Sequence, residues 1–373
     1  MEILSNAEIF WKTKHAWLES CGYQLRPRYQ PDWFPSWIQD PPTDSILGVL
    51  KREDYLPTIA PQVMDAIRIK DGAAVIMKRV HRLDNEYNQE VEVSLFFSSP
   101  QLQKDPNNHC VPIYEMLEIP NDDTFAILVM PLLRRFNSPR FDTIGECMDF
   151  LLQIFKGLRF IHQHHIAHRD CTGPNVMMDG SELYPYGFHP TEQDYNLEFT
   201  CSAKQMYTRT QRPPTYYWID FGNAACFDPS NRSPRIYPLH GTDKSAPEFQ
   251  NLSQDSVEEF DPFPTDIYYL GNLVRMHFTE GDSDCGDPAI FGLEFLKPLI
   301  GDMVQDNPEK RPTIDQCVIR LEDLIRSQTS WALRAPVWQT DDSVLGIIYR
   351  LAPYWARRII YTLTQTSPIP KRK

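Results

Sequence analysis

In VMDAIRIKDGAAVIMKRV (63–80) apolar and polar positions form two β-rich runs, interrupted once by Lys70-Asp71-Gly72. Two such runs around an Asp-Gly turn predict a β-hairpin. NEYNQEVEVSLFFSSP (85–100) changes to a helical period, with Val91, Leu95 and neighbouring Phe residues on one side. CVPIYEMLEI (110–119) and FAILVMPLL (125–133) are two more strand candidates, separated by the turn Pro120-Asn121-Asp122-Asp123. After residue 140 the helical period takes over. Thr143 can cap IGECMDFLLQIFKGLRFIHQH (144–164), and further helices are expected at 265–279, 289–304 and 313–328. Upstream of all these, Ala7–Cys21 reads as a helix. The pattern predicts an α+β chain of two lobes, hinged near Met130–Arg134. The expected divisions are a Trp/Pro-rich extension (1–50), a β-rich lobe (51–130), a helical lobe (131–330) and a basic tail (331–373).

Composition narrows the function classes. A chain of 373 residues with 42% hydrophobic and 23% charged residues is globular and long enough for a sizeable core. The formal net charge of −13 argues against nucleic acid as a partner, since phosphate-backbone binders need a positive surface. The eight cysteines are scattered without a CxxC pair, which argues against a zinc cluster or disulfide scaffold. Neither a signal-peptide core nor an 18-residue apolar run is present, so an intracellular location, cytoplasmic or nuclear, is the expectation. The 32 prolines concentrate in 29–44, 183–190 and 212–218, interleaved with aromatic residues, and predict packed irregular segments.

The chemistry-bearing residues stand in a fixed order. HRDCTGPN (168–175) pairs a carboxylate, Asp170, with an amide five residues on, Asn175. YYWIDFGNA (216–224) ends a strand in Asp220-Phe221-Gly222, where a carboxylate can reach a metal and the glycine allows a sharp turn. SAPEFQ (245–250), DIYYLG (266–271) and NPEKRPT (307–313) follow. With these motifs in this order, residues 60 to 325 resemble the eukaryotic protein kinase superfamily. The proline-rich insertions and the HRDCT wording are also similar to a divergent kinase-like group of fungi.

The resemblance implies a bilobal protein-kinase-like fold, ATP and Mg2+ as ligands, and Ser/Thr hydroxyls of a protein substrate as acceptors. Asp170 would align the acceptor hydroxyl, with Arg169 beside it in the catalytic loop. Asn175 and Asp220 would ligate the metal. Lys78 would contact the α- and β-phosphates and pair with Glu90 or, as a close second, Glu92. Backbone at Met130–Leu133, Met130 and Leu132 among it, would hold adenine. Glu248 and Arg311 would form a buried structural ion pair. Arg169 could pair with a phosphate in the activation segment 223–245, whereas Thr242 reads as a structural or substrate-aligning hydroxyl.

Three departures keep alternatives open. LPTIAPQVMDA (56–66), where the family's glycine-rich phosphate lid belongs, has no glycine, and Pro61 has no N–H to offer. Thr172 stands where Ser/Thr kinases keep a lysine; such a contact is worth roughly 2–4 kcal/mol in a transition state. Between Asn175 and Asp220 lie 44 residues, so 181–214 is an insertion at the mouth of the site, with packing on the lobe the preferred reading and contact with substrate the alternative. A pseudokinase acting as a scaffold and a small-molecule kinase are the two rivals. In the tail, Val344, Ile348, Leu351, Trp355 and Ile359 share a helical side opposite Arg350 and Arg357. Docking of that apolar side onto the helical lobe is the preferred reading and peripheral membrane contact the alternative.

Overall fold

The computed structural model describes residues 4–41, 49, 51–83, 86–238, 243–250, 258–282 and 287–372. Thr242, Cys285 and Lys373 lie outside them. The chain is mixed α+β and divides into two compact units. The first comprises residues up to Ser98, Val111–Arg134 and Asp179–Met206; the second comprises Ser99–Cys110, Arg135–Met178 and Tyr207 onward.

The first unit is built on an antiparallel sheet. Its strands are β1 (Tyr23–Leu25), β2 (Val63–Arg68), β3 (Ala73–Leu83), β4 (Glu86–Tyr87), β5 (Glu115–Glu118) and β6 (Phe125–Pro131). They run in the order β1-β2-β3-β6-β5, with β4 paired to β3. The β2–β3 connection turns through Gly72 at φ +72°, a left-handed conformation that favours glycine. The strand period of two sorts the two faces. Val75, Met77, Ile127 and Val129 face a core completed by Trp11, Leu18 and Tyr29, whereas Val80, Ala126 and Leu128 face Val91.

Residues 4–41 contribute to the core of the first unit. The expected single helix is interrupted at Lys14 into α1 (Asn6–Thr13) and α2 (His15–Ser20), which supply Trp11 and Leu18 to the core. β1 pairs along β2 in the register Tyr23↔Arg68 to Leu25↔Ala66. The buried Arg28 guanidinium bonds Glu8 at 2.9 Å, closing the segment on itself. Most of the insertion, Asp179–Met206, also belongs to this unit. Its Tyr184 and Phe188 rings lie 4.5 and 5.2 Å from the buried Arg134 guanidinium, which also bonds the Gln193 carbonyl and Asp194. Asp179–Met206 is thus packed within the β-rich unit, while residues 207–214 belong to the second unit, where Arg209 donates to the Phe136 and Arg140 carbonyls.

In the second unit α4 (Ile144–Gln163) is the axis: fourteen of its twenty residues are buried. Thr143 caps it by accepting from the Glu146 N–H. Short strands β7 (Ile166–Ala167) and β10 (Ala225–Cys226) pair, as do β8 (Val176–Met178) and β9 (Tyr216–Trp218). α7 (Ile314–Arg326) packs along α4, α6 (Lys297–Met303) packs between α5 (Pro262–Val274) and α7, and α8 (Val344–Leu363) follows in the same unit. Gly157 permits close packing, since a Cβ there would come within 2.7 Å of His109 and 3.0 Å of Trp218.

The tail docks opposite to expectation. Tyr354 and Arg358 are the buried residues of α8, whereas Val344, Ile348, Trp355 and Ile359 are exposed. The docking side is chosen by polar partners: the Tyr354 hydroxyl donates to the Arg334 carbonyl, and Arg358 to the Trp331 carbonyl. No described helix is long and apolar enough to cross a membrane.

Candidate functional site

In the second unit the sequence HRDCTGPN follows β7 directly. Its backbone is held from α5: the fully buried Asp266 carboxylate accepts the His168 N–H at 2.8 Å and the Arg169 N–H at 2.7 Å. His162 Nε2 lies 2.9 Å from the same carboxylate. A buried carboxylate is tolerated when donors converge on it, and these donors make it the anchor of the loop. Arg169 takes φ +66°, a strained conformation for a non-glycine residue that the two anchored amides impose.

The loop then turns Asp170 against Asn175. The Asn175 Nδ2 donates to the Asp170 carboxylate at 2.8 Å and to its carbonyl at 2.9 Å. Because the amide nitrogen is engaged, the Asn175 Oδ1 is the atom left to act as a ligand. Both residues are buried within the unit. Gly173 between them leaves room for the His277 ring, whose Nε2 would stand 2.2 Å from a Cβ and have to shift. The His168 ring packs against Trp218 and Phe221 with Nε2 3.1 Å from the Ile219 carbonyl. Burial lowers its pKa, so the ring is neutral and Nε2 carries the proton it donates.

Asp220 follows β9 at φ +62° and accepts the Gly222 N–H at 3.3 Å, with its side chain exposed. Arg169 sits differently from a group awaiting phosphate: its guanidinium donates to the Tyr237 carbonyl at 2.7 Å and the Asn223 carbonyl at 3.4 Å. It ties the following segment to the loop. Glu248 and Arg311 form a bidentate pair at 2.8 and 2.8 Å, and the Thr265 hydroxyl donates to the same carboxylate. Burial alone would raise the Glu248 pKa, but the Arg311 and Thr265 hydrogen bonds and the Arg311 charge bring it below its ordinary value.

In the first unit Lys78 lies on the face of β3 that also carries Val80, turned toward α3 (Gln89–Phe97). Asn88 caps α3 by accepting the Val91 N–H, which brings Glu90 onto the first turn. The Lys78 ammonium pairs with the Glu90 carboxylate, and Glu92 is exposed. Met130 lies opposite Ile76, one residue before the end of β6, and Leu132 follows the strand. The Leu133 carbonyl accepts a hydrogen bond from Gln193 of the insertion at 3.0 Å. The glycine-free stretch is the last part of a long connection from β1 to its neighbour β2, not a short hairpin turn. β2 takes its neighbour from Tyr23–Leu25, and residues 60–63 make a turn closed by Val63 N–H to the Ala60 carbonyl at 3.0 Å.

Two contacts were not readable as site features beforehand. Gln193 lies 60 positions from Leu133, and no local pattern links them. The His162–Asp266 contact joins residues 104 apart, although His162 at the end of a buried helix was its one local sign.

No family model matches the chain. In an alignment 280 residues long that covers 65% of the chain, it is 25% identical to a protein described as a light-sensor protein kinase from Ceratodon purpureus. The match covers 19% of that protein's length. The chain is thus distantly similar to part of a protein kinase.

Proposed function

We propose that the two units are the lobes of a divergent bilobal protein-kinase-like fold that transfers the γ-phosphoryl group of ATP to Ser/Thr hydroxyls of proteins. The observation that carries this reading is the Asp170–Asn175 hydrogen bond within a loop pinned by Asp266. It presents a carboxylate for an acceptor hydroxyl and an amide oxygen for a cation. The hydroxyl oxygen would attack the γ-phosphorus as its proton passes toward Asp170, and the bond to the ADP oxygen would break. Bound Mg2+ would neutralise phosphate charge. Asn175 Oδ1 and the Asp220 carboxylate are the hard oxygen donors it prefers. No group of three or more His, Cys, Asp or Glu side chains fit to hold a metal occurs among the described residues, so such an ion would share its coordination with phosphate and water. Lys78, oriented by Glu90, is assigned to the α- and β-phosphates.

A second reading, a pseudokinase acting as a binding protein, is favoured by the turn at 60–63, which lacks glycine and includes Pro61. Calorimetry with ATP and Mg2+, run beside a radiolabel transfer assay, separates the two. The kinase reading expects binding and transfer in the wild type, with transfer lost in Lys78→Met and Asp220→Ala. Undetectable transfer in the wild type with either Mg2+ or Mn2+ would leave the pseudokinase reading.

A further inference from the structure

The helix α8 is amphipathic, but inverted relative to the unit it packs on. Its three arginines lie on the docked side. Arg358 is stacked 3.3 Å over the Trp331 ring, Arg350 bonds Asp342, and Arg357 lies 3.2 Å from Asp142. The opposite side is an uncharged stripe from Leu345 to Leu363, spread over about 140° of the helix circumference at 3.6 residues per turn. Its large side chains are exposed by 43% at Trp355 up to 84% at Tyr349. A stripe of this length is more than the scattered apolar exposure of an ordinary surface.

Its sequence says what covers it. In a two-fold pair of antiparallel helices centred on residue 354, position i of one copy lies level with position 708 − i of the other. Leu345 then meets Leu363, Ile348 meets Ile360, Tyr349 meets Ile359, and Ala352 meets Ala356. Each of these four levels is uncharged in both copies, and Trp355 lies level with Pro353. The small alanines fall at the centre, where two helices approach most closely. The seven large side chains of the stripe leave on the order of 1,000 Å² exposed per chain, against about 800 Å² per partner in a standard stable interface. A bilayer would impose no such symmetry. It would also draw basic residues to the rim of the stripe, whereas Arg350 and Arg357 are paired with acids and the chain carries −13.

We propose that α8 is a self-association helix, its exposed stripe covered by the same helix of a second copy in an antiparallel, two-fold pair. The test is sedimentation equilibrium on the full chain. The wild type is expected to form a dimer. The double variant Ile348→Glu, Ile359→Glu is expected to be monomeric at the same concentrations, with its far-UV circular dichroism unchanged because both side chains are exposed and with a thermal midpoint that no longer depends on concentration. Tyr349→Arg, at the most exposed position, is the second variant and is expected to weaken the dimer at least tenfold. Geometry is checked in a Cys201→Ser, Cys226→Ser background. Leu345→Cys protein should cross-link to Leu363→Cys protein but not to itself, since two copies of position 345 would lie about 27 Å apart at 1.5 Å per residue. A wild type that stays monomeric at about 100 μM, a dimer that survives the double variant, or self-cross-linking at 345 overturns the proposal. So does a monomer that floats with phosphatidylcholine–phosphatidylserine vesicles and loses this with the stripe.

Discussion

The loop at 168–175 and the stretch at 56–63 belong to the same expected chemistry but are built in opposite ways. The loop is over-determined: two backbone amides end on one buried carboxylate, Asn175 clamps Asp170, and Gly173 fits under His277. The stretch at 56–63 is held mainly through its carbonyls, Leu56 and Pro57 accepting from Arg26, Ala60 from the Val63 N–H and Gln62 from the Arg79 N–H. Pro61 and Gln62 are exposed, and no glycine bares an N–H for phosphate. A carboxylate poised for a proton must sit within a few tenths of an ångström of its place, because misplacement forfeits the transition-state contact. A phosphate can be neutralised by Lys78 and a metal without a backbone cradle, at a cost in nucleotide affinity. On the proposed function the deficit would therefore fall on holding the nucleotide, not on the acceptor side.

The largest test of that contrast is Asp170→Asn. On the proposed function it lowers the transfer rate at least about 10³-fold, because the amide cannot take the proton, and leaves ATP affinity within twofold. Rate assays and calorimetry on one preparation read both numbers. Equal losses in rate and affinity would break the division between the two regions. Asp266→Asn is next. It replaces the acceptor of two loop amides by a group with one acceptor oxygen, so stability falls by about 3 kcal/mol and rate by about 10²-fold. Denaturant titration separates the two effects. The third is a pair: Glu90→Gln is expected to reduce rate about tenfold by loosening Lys78, whereas Glu92→Gln, exposed on the same turn, changes nothing measurable.

The hairpin at 63–80 was legible because it has two β-rich runs and an Asp-Gly turn, and α4 because its buried side repeats every three to four residues. β1 was not. Three residues, Tyr23–Leu25, carry no period, and their place beside β2 follows from packing of Trp11, Leu18 and Tyr29, which no local pattern encodes. At the site, spacing left Glu90 and Glu92 as rivals; the Asn88 cap and the facing of β3 bring Lys78 to Glu90. The association of 179–206 with the β-rich unit was hidden for the same reason as β1. Its anchors, Arg134 with Tyr184 and Phe188, lie about fifty residues apart. The hydrophobic stripe of α8 was visible as a stripe, but period alone does not say which side docks. The buried Arg358, with its ring and carbonyl partners, decides that.

The smallest expected effect sharpens the contrast most. If the 56–63 stretch limits nucleotide affinity because its backbone cannot approach phosphate, then Ala60→Gly with Pro61→Gly should restore an N–H and remove a Cβ there. ATP affinity should rise about three- to tenfold, worth about 1 kcal/mol, while the rate at saturating ATP stays unchanged. The gain is modest because two flexible residues must be ordered on binding, which offsets part of each new hydrogen bond. Unfolding should be slightly easier, by about 1 kcal/mol, since two glycines enlarge the unfolded ensemble. An affinity that does not move, with that small stability loss in place, would mean that residues other than this turn hold the phosphates. The weakness assigned to the 56–63 stretch would then be only apparent.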